Sequence, residues 1–158
     1  MKTAIPRLLA LALFFVCAIA YGETCKVVGI ADGDTLTVRC DKKHQERVRL
    51  TEIDAPEMGQ PFGKAAKTSL SAMCFRKNAT LRRKGKDDYG RTLARVTCDG
   101  MDTSAEQVRR GYAWVYDRYV TDRSLYALQR TAQREKRGLW AGSKKPVPPW
   151  EWRRKHKK

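Results

Sequence analysis

A turn dipeptide flanked by extended segments constrains the fold of this chain more than any other feature. Asp32-Gly33 stands between two segments rich in β-branched residues, 27–31 and 35–38, a pattern typical of a tight β-hairpin. Cys25 and Cys40 lie at equal distances from the turn. An ideal two-residue hairpin would place them opposite each other, so we expect a hairpin that is closed by a disulfide.

The cysteine count predicts disulfides if the chain is exported, as its N-terminal pattern, described next, indicates. Four cysteines follow residue 20: Cys25, Cys40, Cys74 and Cys98. An even number in an exported chain favours two disulfides, and three connectivities are open from the count alone. If Cys25 pairs with Cys40 across the hairpin, Cys74 is left to pair with Cys98. No close Cys or Cys/His spacing of the zinc kind is present, and with only two histidines, His44 and His156, the usual histidine-activated nucleophiles are not expected.

The first twenty residues have the pattern of a secretory signal. Lys2 and Arg7 precede an apolar run, 8–20, that ends in small residues at Ala18 and Ala20. The run is too short for a stable membrane span, which needs about 20 residues. We therefore expect cleavage of residues 1–20 and a secreted or periplasmic protein. Loss of the two basic residues lowers the formal net charge from +16 to +14.

That charge predicts a polyanionic partner: nucleic acid, anionic lipid or acidic polysaccharide. The basic residues are clustered at 82–86, at 109–110 and at 153–158. The last cluster falls within residues 146–158, which contain three prolines and two tryptophans. We interpret 146–158 as an extended basic tail that follows one domain over 21–145.

Apolar periodicity divides the domain into strands and helices. Strands are predicted at 27–31, 35–38, 47–53, 79–83 and 92–98, and helices at 61–78, between Thr103 and Gly111, and at 122–137. A capping box, Thr103 with Glu106, is expected to begin the second helix. Five short strands with three helices indicate an α+β domain with a small, strongly curved sheet.

The third strand runs into a turn that carries two carboxylates. Arg49 lies in the strand, Asp54 near its end, and Glu57 after Pro56. If the hairpin brings Asp34 beside Asp54, two carboxylates converge that could hold a hard cation. A straight strand would place Arg49 and Asp54 on opposite faces, about 17 Å apart. A shared site therefore requires a bend, which we predict at 53–56.

Three motifs, in this order and at this spacing, resemble the staphylococcal nuclease (thermonuclease) family. They are Asp32-Gly33-Asp34-Thr35, then Arg49-Leu50 with Ile53-Asp54-Ala55-Pro56-Glu57, then Asp88-Tyr89-Gly90-Arg91. The resemblance extends from about residue 25 to 140. It implies a five-stranded OB-fold β-barrel with three helices, and a Ca²⁺-dependent nuclease that acts on DNA and RNA.

The resemblance also implies roles for individual residues. Asp34 and Asp54 match Ca²⁺ ligands, and Ala55 matches a main-chain carbonyl ligand. Glu57 matches the residue that positions or activates water, while Arg49 and Arg91 match two phosphate-binding arginines. Tyr89 and Tyr119 match nucleotide-contacting tyrosines. Asp117 stands where the family has another base-contacting tyrosine, which Tyr116 or Trp114 could replace, because single-stranded bases stack on aromatic rings.

The expected function is therefore an exported, monomeric, Ca²⁺-dependent endonuclease of low sequence specificity, with single- and double-stranded DNA and RNA as its substrates. One alternative is a non-catalytic OB-fold module that only binds nucleic acid, which the charge and the aromatic residues also favour. Another is a basic adhesion protein for anionic lipid or polysaccharide, which would depend on residues 153–158.

Overall fold

The computed structural model describes residues 23–41 and 43–156, so the predicted signal peptide, 1–20, lies outside the described residues. In the described part, no helix is long and apolar enough to cross a membrane. The strands are β1 (Glu23–Ile30), β2 (Thr35–Arg39), β3 (Gln45–Leu50), β4 (Ile53–Asp54), β5 (Asn78–Lys86), β6 (Thr92–Cys98), β7 (Met101–Asp102) and β8 (Trp114–Val115). The helices are α1 (Gly63–Cys74), α2 (Thr103–Arg109), α3 (Ser124–Arg134) and α4 (Pro149–Lys155), with a 3₁₀ helix at Gly138–Trp140.

Five strands close into a mixed barrel. β3, β2, β1, β5 and β6 pair antiparallel in that order. Parallel pairing of β3 with β6, with Leu50 beside Ala94, joins the two ends. Closure leaves few free strand edges, which suits a sheet this small. β4 and β8 form a separate pair that aligns Asp54 with Trp114. The predicted α+β, five-stranded OB-fold barrel is confirmed.

The barrel core follows from strict alternation along the strands. In β6, Ala94, Val96 and Cys98 are buried while the residues between them are only partly covered. This period of two directs one face of the strand inward. On α1, Ala66, Leu70 and the neighbouring Met73 and Cys74 are buried, as the apolar stripe predicted. α1 therefore presents its apolar side to the core.

The structure confirms both predicted disulfides, Cys25–Cys40 and Cys74–Cys98. The predicted two-residue turn, however, is wrong. Ile30 pairs with Leu36, which leaves a longer loop, and a register shift between Val27 and Gly29 restores the alignment of the cysteines. The loop is wider because the Asp32 side chain accepts a hydrogen bond from the Asp34 amide at 3.0 Å, an Asx-type turn.

Residues 23–41 and 43–156 contain four helices where three were predicted. The first ends at Cys74, not Asn78, and the third covers Ser124–Arg134 rather than 122–137. Asp102 caps the second by accepting a hydrogen bond from the Ala105 amide, so the predicted Thr103 capping box is wrong.

The prediction of an extended tail is also wrong, because α4 forms there. Pro149 lies in its first turn, where a backbone N–H would have no acceptor within the helix, so the N–H that proline lacks is not missed. Glu151 in the first turn and basic residues in the last complement the helix dipole.

Candidate functional site

Two aspartates from different parts of the chain meet on one arginine. Arg49 places Nη1 3.0 Å from Asp34 Oδ2 and Nη2 2.8 Å from Asp54 Oδ1. Asp54 is 1% exposed and the Arg49 side chain 12%. Burial alone would lower the pKa of Arg49, but the charges of Asp34 and Asp54 outweigh it and raise that pKa. The guanidinium thus stays charged and holds both carboxylates together.

The predicted bend exists but lies earlier than expected. β3 ends at Leu50, and Glu52 has a left-handed backbone with φ of 72°. β4 then begins at Ile53, whose carbonyl accepts a hydrogen bond from Arg49 Nη1 at 3.2 Å. The turn at Thr51 and Glu52, rather than 53–56, therefore brings Arg49 back to Asp54. The predicted meeting of these two residues is confirmed, and the predicted position of the bend is wrong.

The loop that carries Asp34 packs directly against the chain after β4. Asp34 Oδ2 accepts a hydrogen bond from the Ala55 amide at 2.7 Å. This approach requires glycine at position 33, since a Cβ there would lie 2.8 Å from the Ala55 Cβ and 2.6 Å from the Ala66 Cβ. Gln107, buried on α2, donates to the Gly33 carbonyl at 2.6 Å. The structure thus brings Ala55, the predicted carbonyl ligand, beside Asp34.

Arg91 reaches the same site from the β5–β6 loop. Its Nη1 lies 3.4 Å from the Thr35 hydroxyl, which donates to Asp34 Oδ1 at 3.1 Å. Asp87 fixes Arg91 by accepting hydrogen bonds from its backbone amide at 2.9 Å and from Nε at 2.8 Å. Burial would raise the pKa of Asp87, but these bonds outweigh it and lower the pKa. Asp87 is therefore a charged anchor for Arg91.

Glu57 lies at the site but does not contact Arg49. Its Oε1 accepts a hydrogen bond from Arg153 Nη1 at 2.7 Å. The same guanidinium contacts both carboxylate oxygens of Asp54, at 3.2 Å and 2.7 Å. Burial would lower the pKa of Arg153, but Asp54 and Glu57 raise it. Arg153, which the sequence analysis did not assign to the site, therefore links two of the residues predicted to act there.

The predicted nucleotide-contacting tyrosines occupy two separate places. Tyr89 is 85% exposed, and the Arg91 guanidinium lies 5.5 Å from its ring centroid. Tyr119 is 54% exposed and meets Tyr116 edge-on with ring centroids 5.0 Å apart. Trp114 is buried against Trp140, so it offers no free stacking surface. Tyr89 and Tyr119 remain accessible to a base.

The donor set fits a hard divalent cation. Asp34 and Asp54 supply carboxylates beside the Ala55 backbone, and Ca²⁺ accepts carboxylates, carbonyls and water. Asp32 adds a third carboxylate close by; burial and the charge of Asp34 raise its pKa to about 6. Arg49 and Arg153 neutralise only part of the charge that these acids and Glu57 carry. The remaining negative charge, within a strongly basic chain, favours a bound cation.

No three carboxylates of the described residues converge within 4.8 Å. The only such group of possible ligands found there is Glu23, Cys25 and Cys40. Its cysteines form a disulfide and have no thiolate to offer a metal. A cation at Asp34 and Asp54 would therefore complete its shell with carbonyl oxygen and water.

Asp87 and Arg153 are the site residues that the sequence analysis missed. Asp87 follows the turn glycine Gly85 and could have been recognised as a turn-forming aspartate. Arg153 could not be assigned from local sequence, because its partners Asp54 and Glu57 lie 99 and 96 residues away.

These features first define a class: an OB-fold protein whose loops gather carboxylates and guanidinium groups at one place. The family of the staphylococcal nuclease homologues matches this chain over residues 47–142. The chain therefore belongs to the staphylococcal nuclease family. That membership supports nuclease activity.

Several relatives align with most of the chain. An uncharacterized endonuclease of Haemophilus influenzae is 45% identical over 135 residues, which cover 85% of this chain and 75% of that protein. An uncharacterized endonuclease of Escherichia coli is 42% identical over 87% of both chains. A micrococcal nuclease of Shigella flexneri is 37% identical over 99% of this chain and 98% of its own length.

Proposed function

We propose that this protein is an exported, Ca²⁺-dependent nuclease that hydrolyses phosphodiester bonds of DNA and RNA with low sequence specificity. One observation carries the proposal: Asp34, Arg49, Asp54, Glu57 and Arg91, which come from four segments of the chain, meet at one site. The endonuclease and micrococcal nuclease names of its relatives support the same reaction.

Each group has a task that its chemistry suits. Asp34, Asp54 and the Ala55 carbonyl would hold Ca²⁺, which would supply positive charge to polarise a phosphoryl oxygen. Arg91 and Arg49 bind the non-bridging phosphate oxygens, because a guanidinium donates two hydrogen bonds and remains charged. Asp87 holds Arg91 in position for this contact.

Glu57 takes the proton from the attacking water. As the water oxygen forms its bond to phosphorus, the opposite P–O ester bond breaks, and the leaving oxygen acquires a proton from solvent. A positioned general base contributes about 10²- to 10⁴-fold to such a step. Exposed Tyr89 and Tyr119 offer stacking surfaces that accept any base, which accounts for low sequence specificity.

Cleavage of single-stranded DNA and of RNA, with Ca²⁺ and with a chelator, tests the proposal. We expect activity only with Ca²⁺. Glu57→Gln should lower kcat about 10³-fold, and Arg91→Ala about 10²-fold because it removes a charge that stabilises the transition state. Equal cleavage in all samples would contradict the proposal. Salt-sensitive binding without any Ca²⁺-dependent cleavage would instead indicate the non-catalytic OB-fold module.

Export is a separate part of the proposal, supported by the signal pattern of residues 1–20 and by two disulfides. Mass spectrometry of the protein recovered from the periplasm or the medium should show a chain that lacks those residues. An intact N terminus in the cytoplasmic fraction would contradict export without affecting the proposed reaction.

A further inference from the structure

The start of α4 and the residues just before it pack against the rest of the domain. Gln60 Nε2 donates a hydrogen bond to the Val147 carbonyl at 2.7 Å, and Pro149 is buried. Trp150 stacks on Tyr116 with ring planes 1° apart and centroids at 5.7 Å. It also meets the buried Trp114 edge-on at 6.5 Å. These contacts hold residues 147–150, and Arg153 follows one turn later, where its side chain reaches the acids.

Arg153 engages the carboxylates through both of its terminal nitrogens. Nη1 bonds Glu57 Oε1 at 2.7 Å and lies 3.2 Å from Asp54 Oδ1, while Nη2 bonds Asp54 Oδ2 at 2.7 Å. Asp54 is 1% exposed, whereas the Arg153 side chain is 39% exposed. The ion pair therefore joins a buried carboxylate to a guanidinium that solvent can reach.

This arrangement conflicts with the roles proposed for the two acids. Arg49 engages only Oδ1 of Asp54 and leaves Oδ2 open to a cation, whereas Arg153 occupies Oδ2 as well. A guanidinium at this distance repels a divalent cation bound to the same oxygen. The charge-assisted hydrogen bond from Arg153 to Glu57 Oε1 stabilises the ionised carboxylate and so makes Glu57 a weaker base toward water. The contact therefore opposes both cation binding and water activation.

We propose that Arg153 is an intramolecular competitor of the divalent cation, and that α4 must withdraw it from Asp54 and Glu57 before the site becomes active. The inference rests on the proposed function, which makes Asp54 a cation ligand. The short α4, whose last turn is exposed beyond Arg153, can release this contact without opening the barrel. The C-terminal segment then acts as an autoinhibitory cap.

Cation affinity measured by calorimetry tests the competition directly. Ca²⁺ should bind Arg153→Ala about tenfold more tightly than wild type, because the substitution removes charge-assisted hydrogen bonds to the ligand. Arg154→Ala is the matched control, since it removes the same charge from an exposed neighbour on α4. Equal affinities for Arg153→Ala and Arg154→Ala would overturn the inference while leaving the proposed Ca²⁺ site intact. No Ca²⁺ binding by any of the three proteins would overturn both.

Release of α4 provides a second measurement that does not depend on cleavage of nucleic acid. Trypsin should cut after Arg154 and Lys155 several-fold faster when Ca²⁺ is added to wild type. Arg153→Ala should be cut at the fast rate even in chelator, whereas Arg154→Ala, observed at Lys155, should behave as wild type. A tail whose cleavage rate does not respond to Ca²⁺ or to Arg153→Ala would contradict withdrawal of the helix.

Discussion

Asp87 is a positioning residue with no counterpart in the set that the motifs identified. One of its oxygens accepts hydrogen bonds from the amides of Tyr89 and Arg91, and the other accepts from Arg91 Nε. The first oxygen shapes the turn, and the second orients the guanidinium. Because the two tasks fall on different oxygens, a substitution can separate them.

We predict that Asp87→Asn lowers kcat about tenfold with little change in KM. The amide oxygen of asparagine can still accept from the backbone, but a neutral group holds Arg91 less firmly than a carboxylate does. Asp88→Asn is the control, because Asp88 is the exposed next residue and carries the same charge. Steady-state kinetics with a fluorescent oligonucleotide would measure both variants. An equal loss of activity in the two would argue against a specific role for Asp87.

The bend between β3 and β4 depends on contacts far along the chain. Glu52, at the bend, is 5% exposed. It accepts hydrogen bonds from the Thr121 and Asp122 amides at 2.8 Å and pairs with Arg95 at 2.5 Å. Burial would raise the pKa of Glu52, but these bonds outweigh burial and lower the pKa below 4.5. The element that joins Arg49 to Asp54 is therefore held by a charged glutamate.

Glu52→Gln should lower the free energy of unfolding by about 2 kcal/mol at pH 7, since it leaves hydrogen-bond donors of Arg95 and the 121–122 backbone with a weaker acceptor. The folded pKa lies below the unfolded one, so wild type keeps this advantage above about pH 4.5 and loses it as pH falls through the folded value.

Urea unfolding at several pH values would measure the effect. Glu135→Gln, at an exposed glutamate paired with Arg137, should change stability by no more than about 0.5 kcal/mol. A Glu52→Gln protein that differs from wild type by the same amount at pH 3 and pH 7 would contradict a charged Glu52.

Local patterns predicted the elements of the barrel well because alternation and turn residues report on backbone conformation directly. The hairpin, β6 and the apolar stripe of α1 are examples. The bend was misplaced because a positive φ at a glutamate has no local signal; its cause is the pairing of Glu52 with Arg95 and Thr121. α4 was not predicted because three prolines in 146–158 are typical of an extended tail, whereas Pro148 and Pro149 stand at the start of a helix, where proline is accepted.

The candidate site was predictable to a similar degree. The family motifs identified the acids and arginines that the structure brings together, but the contact of Arg153 with Asp54 depends on how the tail packs. No periodicity or spacing encodes that packing.

Positive charge predominates in the chain, whereas negative charge is concentrated at the candidate site. Residues 21–158 carry a formal charge of +14, yet the site itself gathers carboxylates in excess of its guanidinium groups. This distribution would attract a polyanion to the surface at long range and a divalent cation to the site. We expect β5 to contribute to the attraction of a polyanion, because its exposed Arg82, Lys84 and Lys86 lie on the strand that leads to Arg91.

Neutralising the three exposed bases of β5 should weaken nucleic-acid binding in a salt-dependent way. In a Glu57→Gln background with chelator present, so that cleavage is suppressed, Arg82→Gln, Lys84→Gln and Lys86→Gln together should reduce the slope of log K against log salt by about 2, since each phosphate contact on a single strand contributes about 0.7. Fluorescence anisotropy with labelled single-stranded DNA at several salt concentrations would measure this slope.

The control neutralises three exposed bases in and just after α3, which packs on α2 and β8. These bases are Arg130, Arg134 and Lys136. An equal reduction in both triple variants would mean that the net charge, and not a path along β5, determines where nucleic acid binds.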